Sequence, residues 1–204
     1  MKLYVSLTSP YARMVRIIIL EKALQEQIEI VPAQTRKKNS PYYKINLTGR
    51  VPCLIRDDGV AMEESQLICA YLDHLHGAPR FDHPSGSAGW ESRRMEALGR
   101  SLMDGLAVWG RVLALPEDER STTVIEHERE RSRRLFSLWE TEVDHPLLGG
   151  DLNMIQITLI CALQLERRNP GINWRPDHPK LSAWADQISG RDSIAETIPQ
   201  LMPT

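Results

Sequence analysis

The residues KLYVSLTSPYAR, at positions 2–13, determine how the chain begins to fold. Residues 2–7 alternate apolar and polar side chains, which is typical of a half-buried strand. Ser9 and Pro10 then predict a helix start, because Ser is favoured at the N-cap and Pro at the first helical position. The Val, Ile and Leu side chains that follow predict a helix up to residue 24. The chain therefore opens with a strand, a turn and a helix.

A second strand, at residues 28–31, completes this first unit. Strand, helix and strand in this order predict a parallel βαβ unit with a right-handed crossover. Residues 36–48 are polar and basic and predict a surface loop with one helical turn at most. A third strand at 51–55 and a fourth at 60–62 flank the turn Asp57-Asp58-Gly59, which predicts an antiparallel hairpin.

A helix that starts at Glu64-Ser65 and runs to residue 75 closes the first lobe, because its apolar residues recur at helical spacing. Residues 77–89 are rich in Pro, Gly and Ser and predict a linker. The predicted domains are residues 1–76 and 90–204, on either side of that linker. The second is predicted to be all-helical, with helices near 90–115, 118–144, 154–168 and 179–190.

One helix start in the second domain has a capping pattern. Asn153 and Gln156 stand three apart, as in a capping box, and Leu152 with Ile157 are spaced as a hydrophobic staple. The pattern predicts a folding role for these residues and no catalytic one.

The composition favours a globular protein that binds small molecules or proteins. The 204 residues are 42% hydrophobic and 25% charged, with a formal net charge of -2. No basic field favours nucleic acid or an acidic membrane, and no segment resembles a signal sequence or a membrane span, so we expect a cytoplasmic protein. The three cysteines lie far apart without a C-x-x-C motif, which predicts buried structural thiols and neither a zinc site nor a dithiol motif.

Four motifs together give the chain a family resemblance. They are TSPYAR at 8–13, GRVP at 49–52, ES at 64–65 and GGD at 149–151. In this order and spacing the chain resembles the cytosolic glutathione transferases. The resemblance implies a thioredoxin-like α/β domain that binds glutathione as co-substrate, without a metal, followed by an all-α domain that forms the pocket for an electrophile.

Ser9 is the candidate catalytic residue. A helix cap explains the Ser-Pro dipeptide fully, but the two roles are compatible. The resemblance implies that this serine stabilises the glutathione thiolate, which the positive end of the helix dipole also favours. A hydrogen bond to a charged partner contributes about 1.5 to 3 kcal/mol, which lowers a thiol pKa by roughly one to two units. Thr8 is the alternative, and Tyr11 is a candidate wall of the second-substrate pocket.

The resemblance also implies which residues bind the rest of glutathione. Val51-Pro52 is expected to be a cis peptide, with the Val51 main chain pairing with the cysteinyl part of the ligand. Ser65 and Glu64 are expected at the γ-glutamyl end, where the alternative is that Ser65 only caps the helix. Lys38 and Arg50 are candidates for the glycyl carboxylate or the nearby peptide.

The second-substrate pocket is the least determined part of the site. Met103, Leu106 and Trp109 lie on the first long helix of the second domain and are weak candidates, because an apolar helix stripe is more often core. The resemblance implies a homodimer in which the thioredoxin-like lobe of one chain faces the helical lobe of the other. The expected reaction is a detoxifying conjugation of glutathione to small hydrophobic electrophiles. A glutathione-dependent isomerase and a non-catalytic scaffold on the same fold stay open.

Overall fold

The computed structural model describes residues 1–78, 80–169 and 171–199, which divide into two compact units at Asp82 and His83. That division lies inside the segment 77–89 for which the sequence predicts a linker.

The first unit is a four-stranded mixed sheet with two helices. Its elements are β1 (Lys2–Val5), α1 (Pro10–Glu21), β2 (Glu29–Pro32), β3 (Cys53–Ile55), β4 (Ala61–Glu63) and α2 (Ser65–Asp73). The sheet order is β2-β1-β3-β4; β1 and β2 are parallel, and β3 is antiparallel to both of its neighbours. The predicted βαβ unit and hairpin are both confirmed. A 3-10 turn at Pro41–Lys44 supplies the one turn predicted in the loop.

Two of the four strands, β1 and β3, are shorter than the sequence predicts. β1 ends at Val5 and not at residue 7, because the chain turns there: the Ser9 amide donates to the Ser6 carbonyl over 3.0 Å. β3 begins at Cys53 and not at Val51. The turn segments that carry the candidate residues therefore lie outside the strands.

Burial of apolar side chains explains why this unit holds together. α1 buries Met14, Ile17 and Ile18 completely, and α2 does the same with Ile68 and Leu72. At about 25 cal/mol per Å² of apolar surface removed from water, each such side chain stabilises the fold by about 1.5 to 3 kcal/mol. The three cysteines of the chain are free thiols and buried, as predicted.

The described residues of the second unit form helices joined by loops, and none of them forms a strand. It contains α3 (Gly89–Leu113), α4 (Thr122–Glu142), α5 (Met154–Leu163), α6 (Pro179–Ser189) and α7 (Asp192–Glu196). α5 lies at its centre, since all ten of its residues are buried. The predicted capping box is confirmed: Asn153 accepts from the amides of Ile155 and Gln156, and the Gln156 side chain accepts from the Asn153 amide.

The two largest differences from the predicted helix bounds have a local reason. α4 starts at Thr122, four residues after the predicted start, because Glu117–Glu119 forms a separate 3-10 turn and the Ser121 side chain caps α4 through the Val124 amide. α5 ends at Leu163, and the predicted continuation to residue 168 is a 3-10 turn at Gln164–Arg167.

Candidate functional site

The strand register brings the candidate turns to one end of the sheet. Tyr4, one residue before the end of β1, lies opposite Cys53 at the start of β3, and Cys53 lies opposite Glu63 at the end of β4. The parallel strand β2 ends at the same edge, with Pro32 beside Val5. Each candidate turn of this unit therefore follows or precedes a strand at this single edge.

Ser9 has the geometry of an N-cap and keeps a proton to donate. Its backbone is extended at φ -80° and ψ 122°, and its side-chain oxygen accepts from the Ala12 amide over 3.2 Å. A hydroxyl has one donor beside its two acceptor positions. Among the described residues no acceptor engages the Ser9 proton. The capping role that the sequence predicts is confirmed, and it leaves the donor available.

Thr8, the alternative to Ser9, is placed differently. Its hydroxyl lies 2.8 Å from that of Ser6 within the turn. It is also outside the capping position of α1. The thiolate assignment between Ser9 and Thr8 stays a prediction.

The Val51-Pro52 peptide is cis, as the resemblance implies. The ladder between β1 and β3 begins at Cys53, so the Val51 main chain lies just outside the pairing of the sheet. The carbonyl of Arg50, the preceding residue, accepts from the Tyr42 hydroxyl over 2.5 Å and from the Asn46 side-chain nitrogen over 3.0 Å. The backbone before Val51 is therefore held by two side chains from the loop.

Tyr42 and Asn46 were missed by the sequence reasoning, which predicted only a surface loop there. Both are buried, with 4% and 7% of their surface exposed. Aromatic and amide side chains within this basic loop were the available signal. Burial raises the pKa of the Tyr42 hydroxyl to about 12, so it stays a donor at neutral pH.

Cys53 lies beside this tyrosine and is not suited to thiolate chemistry. Burial, followed by the nearby Glu63 carboxylate, raises the pKa of the Cys53 thiol, although a hydrogen bond with Tyr42 opposes that shift. A neutral buried thiol is a poor nucleophile. Cys53 is therefore a structural residue of this edge.

Glu64 has a backbone conformation that L residues rarely adopt, with φ 74° and ψ 112°. Glu64 holds the N-cap position of α2, and Ser65 is the first helical residue. The alternative that Ser65 is itself the cap is therefore wrong. Ser65 is buried and its hydroxyl donates to Glu64 over 3.4 Å. Strained residues of this kind cluster at ligand sites and cost about 1 to 3 kcal/mol.

The two candidate cations have exposed side chains. Lys38 lies in the loop after β2, and Arg50 directly precedes Val51. No ion pair engages either side chain within the part of the chain that the structure describes. Their contact with a carboxylate stays a prediction.

The pocket candidates fall into two groups. Tyr11 lies in the first turn of α1 and is partly exposed. Met103 and Leu106 are completely buried in α3, and Trp109 is 6% exposed, as expected for core residues. Their role in binding an electrophile stays a prediction.

The described residues form neither a metal-binding cluster nor a membrane-spanning helix. No group of three or more His, Cys, Asp or Glu side chains there is arranged to hold a metal ion. None of the described helices combines the length and the apolar character needed to cross a bilayer.

Comparison with known proteins gives the family of this chain. Residues 3–80 match "Glutathione S-transferase, N-terminal domain" and residues 122–187 match "Glutathione S-transferase, C-terminal domain". Glutathione S-transferase 2 of Saccharomyces cerevisiae is 33% identical, over 97% of this chain and 89% of that protein. The chain belongs to the glutathione S-transferase family, and its thioredoxin-like and helical units have the fold of that family.

Two bacterial relatives match over nearly the whole chain. The uncharacterized GST-like protein YibF of Escherichia coli is 29% identical over 98% of both chains. A crystal structure of a glutathione transferase family member from Pseudomonas fluorescens Pf-5, with bound glutathione, is 29% identical with a TM-score of 0.88. It covers 98% of this chain and 99% of that one.

Proposed function

We propose that this protein is a glutathione transferase that conjugates the glutathione thiolate to small hydrophobic electrophiles. The observation that carries the proposal is the strand register. It places the turns with Ser9, Val51-Pro52 and Glu64-Ser65 at one edge of the sheet. The glutathione bound to the Pseudomonas relative supports the same ligand for this chain.

Ser9 supplies the activation step in this proposal. Its hydroxyl accepts from the Ala12 amide and donates its proton to the glutathione sulfur, so it caps the helix and stabilises the thiolate at once. The N-terminal end of α1 adds a positive partial charge, and its first turn contains no acidic residue to oppose it. Together these favour thiolate near neutral pH.

The rest of glutathione is held by groups around the same edge. The Val51 main chain pairs with the cysteinyl part like an added strand. The first turn of α2, with Ser65, takes the γ-glutamyl carboxylate, and Glu64 faces the ammonium. Lys38 and Arg50 attract the glycyl carboxylate. The ammonium and the glycyl carboxylate thus each meet an opposite charge, and the γ-glutamyl carboxylate meets the positive end of α2.

The thiolate then attacks the electrophilic carbon of the second substrate. A carbon–sulfur bond forms with the sulfur electron pair, and a leaving group departs with the pair of the bond that breaks. Holding both reactants in place supplies much of the rate. Tyr11 is the proposed wall of the electrophile site because it is partly exposed, whereas Met103, Leu106 and Trp109 are buried within the helical unit.

Turnover of a chlorodinitrobenzene with glutathione tests this function. We expect chloride release and formation of an aryl thioether, with saturation in both substrates and no added metal. Glutathione binding without turnover of chloroarenes, epoxides or enones would instead favour the scaffold. Turnover of a cis-dienone without glutathione consumption would favour the isomerase.

A further inference from the structure

Polar side chains of the loop after β2 lie behind the Arg50-Val51 peptide. The Arg50 carbonyl accepts two hydrogen bonds, one from the Tyr42 hydroxyl and one from Asn46 Nδ2, over 2.5 and 3.0 Å. A carbonyl oxygen has two lone pairs, so its capacity is filled. On the other side, the Arg50 amide donates to Thr48 Oγ1 over 3.3 Å.

The donors are themselves fixed. Asn46 Oδ1 accepts from the Thr48 amide over 3.1 Å, which orients the amide group so that Nδ2 faces Arg50. Thr48 Oγ1 lies 2.5 Å from Glu63 Oε2, which ties this loop to the end of β4. The Tyr42 ring packs against Tyr4 of β1, with centroids 5.6 Å apart. Loop and sheet therefore form one connected support.

Because the peptide group is planar, fixing the direction of the Arg50 carbonyl also fixes the direction of the Val51 N–H. The Arg50 carbonyl and the Val51 N–H belong to the same trans peptide, in which the two groups point in opposite directions. Because the carbonyl points at the buried Tyr42 and Asn46, the Val51 N–H points away from them. Two buried side chains thus set the direction of a main-chain donor that neither of them touches.

We propose that Tyr42 and Asn46 are positioning residues that aim the Val51 N–H at the peptide group of glutathione, an inference that rests on the proposed function. They act on affinity and not on the thiol, since their hydrogen bonds end at Arg50 and not at Ser9. Their removal raises the KM for glutathione and leaves the saturated rate unchanged.

Two nearly isosteric variants test whether these residues affect glutathione affinity alone or the reaction as a whole. Tyr42→Phe removes only the hydroxyl, and Asn46→Leu removes the Nδ2 donor at similar volume without placing a charge beside the Arg50 carbonyl. Each should raise the dissociation constant for glutathione about three- to tenfold in calorimetry, the scale of one impaired hydrogen bond. The rate at saturating glutathione should stay within about twofold, with an unchanged pH profile. Tyr43→Phe is the matched control, and it should bind as the wild type does.

Several outcomes would overturn the inference. Unchanged affinity in both variants, a fall in the saturated rate at constant KM, or equal weakening by Tyr43→Phe would each do so. A measurement on the wild-type protein needs no variant: the Val51 amide resonance should shift on glutathione addition, and a resonance that stays in place contradicts the role. If the wild type itself binds no glutathione, the proposed function fails first, which distinguishes the two.

Discussion

At the scale of single residues, the candidate site depends on atoms that have two uses. The Ser9 oxygen satisfies an amide of the α1 terminus with a lone pair, and its proton stays available to a ligand. Sequence could predict both uses, because Ser before Pro is a helix start and the family motif adds the thiolate. The sequence alone could not tell whether this serine only caps the helix or also donates to the ligand, because the same residue type serves both roles.

Glu64 has a strained backbone conformation that the sequence does not reveal. Its φ of 74° is in the region that favours glycine. Glu64→Gly should therefore exceed Glu64→Ala in free energy of unfolding by about 1 kcal/mol, because both lose the carboxylate and only Gly accepts this conformation without strain. Chemical denaturation of the two variants measures the difference.

The same pair of variants also tests the binding role of Glu64. Both should bind glutathione more weakly than the wild type, since neither can face the γ-glutamyl ammonium. An alanine variant as stable as the glycine variant would show that the strain is absent.

At the scale of elements, the sequence predicted the presence and type of the helices and strands better than their first and last residues. The βαβ unit, the hairpin and the α5 capping box follow from alternation, turn residues and spacing. The ends differ where a local hydrogen bond competes: the bond from the Ser9 amide to the Ser6 carbonyl ends β1 at Val5, and the Ser121 cap starts α4 at Thr122. The support by Tyr42 and Asn46 could not be predicted, because it needs the loop to fold back onto residue 50.

The capping box of α5 gives a stability prediction at this scale. Asn153→Ala should lower the free energy of unfolding by about 1 to 2 kcal/mol, because it leaves two backbone amides of a wholly buried helix without their hydrogen-bond acceptor. Ser121→Ala removes one bond at the exposed start of α4 and should cost about 0.5 kcal/mol. Urea denaturation of both variants checks the order. Equal losses in free energy of unfolding would show that the burial of α5 does not increase the contribution of its N-cap.

At the scale of the whole molecule, we propose a homodimer with an isologous interface. Leu47 is 92% exposed, the largest value among the exposed apolar side chains found, which fits a residue covered by a second copy. Leu47→Asp should therefore shift the protein from dimer towards monomer in light scattering at micromolar concentration. Leu115→Asp, at a residue 40% exposed, is the control and should leave the mass unchanged. A wild-type monomer at all these concentrations would rule the dimer out.

The central claim is that the Ser9 hydroxyl stabilises the glutathione thiolate, and it is tested most directly by the ultraviolet titration of bound glutathione. Ser9→Ala should raise the pKa of the bound thiol by about one to two units, the equivalent of one charge-assisted hydrogen bond. Turnover near neutral pH should fall about tenfold or more, with a smaller change in glutathione affinity. Thr8→Ala should leave the titration in place. A titration that moves with Thr8→Ala and not with Ser9→Ala would contradict the account and leave Ser9 as the cap of α1 alone.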